Sequence, residues 1–147
     1  SAPPPLGASN MAGSLSPFVA TLNVAVGGAF GAALRYQLGR SMTGWLGPAA
    51  MTAFPWATLA VNALGSLLMG FLAGWLAFRG GAGGEQLRLL LGIGLLGGFT
   101  TFSAFSLELV LLIERGQLGL AALYALLSVA LGVSGLFAGL VLMRATG

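Results

Sequence analysis

The stretch GIGLLGGFTTFSAFSLE, residues 92–108, decides how this chain folds. It lies inside an apolar run, residues 87–113, that is long enough to cross a membrane. Yet it carries Gly92, Gly94, Gly97 and Gly98, followed by Thr100, Thr101, Ser103 and Ser106. Glycine is a poor helix former, and paired glycines loosen the hydrogen-bond ladder. Thr and Ser hydroxyls satisfy the backbone groups that an interruption sets free. The pattern predicts a transmembrane helix interrupted near residues 97–101. Irregular backbone at membrane depth persists only where protein covers it or where it lines a cavity, and transporters hold ions at such breaks. The alternative is a straight helix whose glycines merely permit close packing.

Composition supports a membrane protein throughout. Of 147 residues, 57% are hydrophobic and 6% charged, against about 25% charged in soluble domains. The charges are Arg35, Arg40, Arg79, Arg88, Arg115, Arg144, Glu85, Glu108 and Glu114. Lys, Asp, His and Cys are absent. Disulfides, Cys or His metal sites, thiol nucleophiles, histidine bases and a lysine-dependent phosphate loop are therefore excluded. The high pI rests on six scattered arginines and does not point to nucleic acid. One acid deep in the membrane, with hydroxyls around it, offers no acid–base pair for an enzyme.

Residues 1–16 are rich in Pro, Ala, Gly and Ser, lack the basic start of a signal peptide, and are expected to be disordered. A single four-span membrane domain, 17–147, follows, with spans at about 17–38, 55–78, 87–113 and 118–143. As unbroken helix the third span would reach about 40 Å, against a hydrocarbon core of about 30 Å, which leaves room for a break. Trp56 and Trp75 bracket the second span and suit the two interfaces. Residues 39–54 are expected to hold a short interfacial segment around Trp45. Small residues recur four apart at Gly27/Gly31, Gly70/Gly74, Gly94/Gly98 and Gly135/Gly139, which predicts close helix approach. Arg79, Arg88 and Arg144 fall on one side of the membrane, Arg40 and Arg115 on the other, with Arg35 near that second edge. Such balance removes the positive-inside bias. A chain of this kind can insert both ways, and opposed copies can pair about an axis in the membrane plane.

Polar residues form stripes. Thr58, Asn62 and Ser66 are spaced four apart on one helical face, as are Tyr124 and Ser128. Ser103, Ser106 and Glu108 follow the proposed break, and Glu108 is the one acid well inside a span. Intramembrane ionisable groups are functional candidates. Arg35, near the end of the first span, either snorkels to water or draws anions to a vestibule. Phe102 and Phe105 share a face if helical, and a phenyl ring is positive at its edge. Ordinary readings stand beside each: interhelical glue for the stripes, and core or lipid-facing rings for the phenylalanines.

The segment GLLGGFTTFSAFSLE, residues 94–108, resembles the signature of the Fluc fluoride channels, also called the CrcB family, which has the form GxxGGxTTFSTFS. GGAFGAALRY, residues 27–36, resembles the family's first-span motif, and PWATLAVNALGSLLMG, residues 55–70, its second-span motif. The resemblance implies an all-α membrane protein of four transmembrane helices, the third broken, assembling as an antiparallel dual-topology homodimer in the bilayer. It implies passive fluoride export through two pores per dimer, in the inner (plasma) membrane of a prokaryote, with a structural sodium ion at the dimer centre. Carried over by motif, Gly97 and Thr100 supply main-chain carbonyls to that sodium. Phe102 and Phe105 are the pore phenylalanines, Asn62 the pore asparagine and Arg35 the vestibule arginine. Ser103, Glu108, Tyr124 and Ser128 form a polar track, with Thr58 nearby. Ala104, Ala57 and Gly132 depart from the family pattern, and Gly132 shortens the polar track. Two rivals remain. A proton-coupled exporter of organic cations of the small multidrug-resistance type needs an acid in the first span, which this chain lacks. A non-transporting assembly subunit would use its polar stripes as glue alone.

Overall fold

The structure, a computed structural model, describes residues 15–147. The expected disorder of residues 1–16 falls, through residue 14, outside the described residues. Helix α1 spans Pro17–Leu46, opened by Ser16, whose hydroxyl accepts from the Val19 N–H at 3.2 Å. Gly47, at φ 88°, turns the chain into the short helix α2, Pro48–Ala53. Helix α3 spans Trp56–Arg79. The third membrane stretch is composite. After a 3₁₀ turn at Gly81–Gly83 come α4 (Gly84–Leu87), a π-helical segment (Arg88–Leu96), α5 (Gly97–Phe99) and α6 (Phe102–Glu114). Helix α7 spans Leu118–Thr146. Four stretches, Pro17–Leu46, Trp56–Arg79, Gly81–Glu114 and Leu118–Thr146, are long and apolar enough to cross a membrane, and no strand occurs among the described residues. Over the described residues the chain is all-helical, with the four spans of a multi-pass membrane protein.

Two boundaries differ from the sequence reading. Helix α1 continues past residue 38 to Leu46, because nothing between them stops it before Gly47 and Pro48. Trp45 thus ends a long helix, and the separate short segment is α2. The turn from α6 to α7 is a Schellman motif. Gly116 adopts φ 75°, its N–H reaches the Ile113 carbonyl at 2.9 Å, and the Gln117 N–H reaches Leu112 at 3.0 Å.

The helices pack as two close pairs, α1 with the π segment and α5, and α3 with α7. Glycine makes both possible. A side chain at Gly27 would strike the backbone of Leu90 and Leu95, and one at Gly98 would lie 2.6 Å from the Gly28 carbonyl. In the second pair, a Cβ at Gly139 would lie 2.5 Å from the Leu67 carbonyl oxygen and 2.7 Å from the Phe71 nitrogen. Gly97 and Gly98 are themselves helical. At Gly98 the glycine serves close packing, not a loss of helix. Ahead of them, the π segment gives the Gly97 N–H to the Gly92 and Gly94 carbonyls. A run of π-helix is rare, and no periodicity in the sequence announces it. Phe54, Leu59, Leu112, Ala121 and Tyr124 form the buried core between α3, α6 and α7. Phe18, Phe30, Leu126, Val133 and Phe137 remain exposed, as lipid- or partner-facing side chains do.

Replacing Gly139 by Val is expected to force α3 and α7 apart and to cost about 1–3 kcal/mol, the usual price of overpacking. Gly119→Ala, where nothing lies within 4 Å of the added carbon, is the control. Thermal unfolding in detergent, followed by tryptophan fluorescence, checks this. Equal midpoints for the two variants would contradict the packing described.

Candidate functional site

The site is built around two residues that leave the helix. Thr100 (φ −84°, ψ 155°) and Thr101 (φ −149°, ψ 119°) are extended between α5 and α6. Extended backbone in a bilayer needs partners for its polar groups. Asn62 on α3 supplies them. Its Oδ1 accepts from the Thr101 N–H at 2.8 Å, and its Nδ2 donates to the Thr101 carbonyl at 3.0 Å. The side-chain amide thus pairs with the peptide as one strand pairs with another. Thr101 also caps α6, its Oγ1 accepting from the Ala104 N–H at 3.2 Å and lying 3.3 Å from the Ser103 hydroxyl. Thr100 stays tied backwards, its N–H and hydroxyl reaching the Leu96 carbonyl at 3.0 and 2.9 Å. Gly65 on α3 leaves room for the Thr100 methyl group and the Phe99 ring.

This geometry bears on the two residues proposed for a cation. In a regular α-helix the Thr101 N–H would bind the Gly97 carbonyl. Here it is turned to Asn62, which releases the Gly97 oxygen from that partner. Extended Thr100 likewise carries its carbonyl out of the helical direction. Among the described residues no cluster of carboxylate, His or Cys ligands exists. The donors these two residues could offer a hard cation are main-chain oxygens.

A second cluster lies between α3, α6 and α7. Glu108 accepts from the Thr58 hydroxyl at Oε1 and from the Tyr124 hydroxyl at Oε2, each at 2.8 Å. Tyr124 is fully buried, and its ring lies 5.1 Å from Phe105 and 5.5 Å from Phe54, centre to centre. Phe105 therefore links this carboxylate cluster to Phe102, whose ring centre is 5.7 Å away.

Beside the extended residues is a groove of about 290 Å³ lined by Asn62, Ser66, Thr100, Phe102, Phe105 and Ser128 among others. The Ser128 hydroxyl is buried there without a hydrogen-bond partner. Phe102 is 79% exposed, so nothing in this chain covers its ring. Gly132, a departure from the family pattern, also lines the groove. A Cβ there would lie 3.5 Å from the Ser66 hydroxyl, so Ser66 supplies the polar group at that level. Arg35 sits elsewhere. Its Nε donates to the Gly98 carbonyl at 3.2 Å, and it lines a separate cavity of about 450 Å³ with Arg40, Thr58, Thr101 and Glu108. The structure thus gathers Asn62, Phe102, Phe105 and Ser128 at one groove, and Thr58, Glu108 and Tyr124 at one carboxylate. Arg35 is brought to the rim of the second set and not to the groove. Sequence reasoning placed Thr101 at the expected break and Ser66 on the Asn62 stripe but gave neither a role at the site. A Thr directly before the helical run FSAF carries a legible N-cap signal, whereas its pairing with Asn62 has no local signature.

The sequence model described as "CrcB-like protein, Camphor Resistance (CrcB)" matches residues 22–140. The chain belongs to the CrcB family. A relative from Erythrobacter litoralis, named "Fluoride-specific ion channel FluC", is 64% identical over 131 residues, covering 89% of this chain and 96% of its own. Relatives of the same name from Novosphingobium aromaticivorans and Phenylobacterium zucineum are 63% and 59% identical, covering 85% of this chain and 96% and 95% of theirs. These CrcB relatives are named as ion channels, not enzymes.

Asn62→Leu in this CrcB chain is expected to orphan the main-chain N–H and C=O of Thr101, at about 1–3 kcal/mol for each group left without a partner. Its thermal midpoint should fall well below that of Asn62→Asp, which keeps an acceptor for the Thr101 N–H. Identical midpoints would show that Asn62 does not hold the extended segment. For the carboxylate, Thr58→Val and Tyr124→Phe each remove one donor from Glu108, and the paired loss should be non-additive by about 0.5 kcal/mol or more. Strict additivity in a double-mutant cycle would mean that the two hydroxyls do not act through a shared carboxylate.

Proposed function

We propose that this chain forms a passive, fluoride-selective channel from two antiparallel copies in the inner membrane of a prokaryote, with two pathways per dimer. The observation that carries the reading is the groove at the extended segment. It holds an unpartnered buried hydroxyl, Ser128, and the rings of Phe102 and Phe105, with no cationic side chain in its wall. Relatives covering nearly all of their own length are named fluoride-specific channels, which supplies the ion.

The chemistry suits a small, strongly hydrated anion. Stripping its water is costly in a low-dielectric passage. A fixed cation deep in the path would repay that cost but hold the ion too firmly, and conduction needs several weaker sites. Ser128 offers a free O–H, Asn62 retains one amide hydrogen beyond the bond to Thr101, and the ring edges offer partial positive charge. The Thr58 and Tyr124 hydroxyls already donate to Glu108. An ion at their level is stabilised when one hydroxyl turns from the carboxylate toward it, so Glu108 holds donors ready without presenting a cation. Ser103 sits at the α6 N-terminus beside Thr101 and extends the row of hydroxyls. Arg35 raises anion concentration at the mouth.

The exposed Phe102 ring supports a second copy that covers it. Two extended segments meeting on the dimer axis would bring the Gly97 and Thr100 carbonyls of both copies together. A structural sodium ion held there supplies positive charge that fastens the two segments. The first span contains no acid, which disfavours a proton-coupled exporter of organic cations.

Purified protein in liposomes loaded with potassium fluoride, opened with a potassium ionophore, should release fluoride to an electrode. Phe102→Ile and Phe105→Ile keep apolar bulk but remove the ring quadrupole, and each is expected to lower efflux at least tenfold while the protein still elutes as a dimer. Arg35→Ala should lower it less, and mainly at low fluoride. Wild-type efflux from both phenylalanine variants would remove the groove from the pathway. Topology is accessible because the chain has no cysteine. A single cysteine introduced in the 80–84 turn should label from both faces of the membrane, and labelling from one face alone in active protein would rule out the antiparallel dimer.

A further inference from the structure

Arg115 has no place in the pathway described so far. It follows α6 as its C-cap, its N–H bonding the Leu111 carbonyl at 3.1 Å. Its guanidinium Nη1 donates to the Thr52 carbonyl at 3.1 Å, near the end of α2 and 63 residues away in sequence. That bond leaves the charge intact. Among the described residues the one ion pair is Arg88–Glu85, so no carboxylate, including neighbouring Glu114, neutralises Arg115. The side chain lines a cavity of about 290 Å³ whose wall includes Thr58 and Glu108. The Arg35 cavity also reaches Thr58 and Glu108, together with Met51 and Ala57. Two cavities, one with Arg35 and one with Arg115 in its wall, therefore share the same carboxylate in their lining.

An anion approaching Glu108 meets a like charge. A cation lining the same cavity offsets that repulsion and raises local anion concentration. We propose that the cavity between α2 and the end of α6 is a second anion-collecting mouth, with Arg115, fixed by the Thr52 carbonyl, as its charge. The inference rests on the channel reading above and adds to it an access route distinct from the Arg35 vestibule. A purely structural role, α2 clamped to α6, would use the hydrogen bond and not the charge.

The test separates these roles by charge. Fluoride efflux from liposomes is measured at low and saturating fluoride, in dilute buffer and in about 1 M impermeant salt, where the screening length falls to about 3 Å. Arg115→Gln keeps a donor for Thr52 but loses the charge. It should lower efflux about three- to tenfold at low fluoride in dilute buffer and match wild type at saturating fluoride or in high salt. Arg115→Lys should stay near wild type. Because the chain has no other thiol, Arg115→Cys is then modified after folding and purification. A cationic ethylammonium thiosulfonate should restore low-fluoride efflux, and an anionic ethylsulfonate should depress it further. The inference is overturned if Arg115→Gln conducts like wild type in dilute buffer. A loss independent of fluoride, salt and the sign of the attached group also overturns it and leaves a clamp. Absence of fluoride efflux from the wild-type protein would overturn the channel reading itself, and this inference with it.

Discussion

The amide of Asn62 bound to the peptide group of Thr101 is the interaction on which the rest of the structure depends. A bilayer supplies no water to an exposed N–H or C=O, so two extended residues at membrane depth must find their partners in protein. Asn62 is the residue that meets both main-chain needs of Thr101 at once. With that pairing in place, Gly97 keeps a carbonyl free of its helical partner, α6 starts in a new direction from its Thr101 cap, and Phe102 and Phe105 project beside the groove. An aspartate at the same position would keep only the acceptor half of the pairing, and a leucine neither half.

The carboxylate of Glu108 repeats the logic with a charge. A partly buried acid is tolerated when each oxygen has a donor. Thr58 and Tyr124 provide one each, from α3 and α7, two helices that pack together and both contact α6. Tyr124 adds a ring buried against Phe54 and Phe105, so the same side chain serves the core and the polar cluster. In the channel proposed above, stability and ion handling fall to the same residues. A hydroxyl that turns toward a passing ion leaves an oxygen of Glu108 short of a donor, so the two roles trade against each other.

A single copy leaves several of these features incomplete. The Phe102 ring is uncovered, the Ser128 hydroxyl faces a groove without a partner, and the Gly97 carbonyl has lost its helical donor. All three cluster within or beside the extended segment. Scattered exposure of apolar side chains is normal on a membrane helix, as along α1 and α7. Polar atoms without partners are not, because hydrocarbon cannot satisfy them. This contrast is what separates the lipid-facing surface from the surface argued to receive an ion and a second copy.

Four membrane spans, and the all-helical class, follow from composition and apolar run length, since a bilayer leaves few other solutions for such a chain. Spacing by four also put Thr58, Asn62 and Ser66 on one face and Tyr124 with Ser128 on another, because helical geometry alone fixes which residues share a stripe. The interruption expected over residues 97–101 is confined to Thr100 and Thr101, since Gly97 and Gly98 are helical and Gly98 serves close packing against α1. Where α1 ends, the π-helical run before Gly97, and the partners of each polar group were decided by the tertiary structure. Asn62 with Thr101, Arg35 with Gly98 and Arg115 with Thr52 join residues 39, 63 and 63 positions apart. Such pairings depend on how far each helix is rotated and slid against its neighbour. That is set by where glycine lets backbones touch across the bundle, and periodicity along one helix carries no record of it.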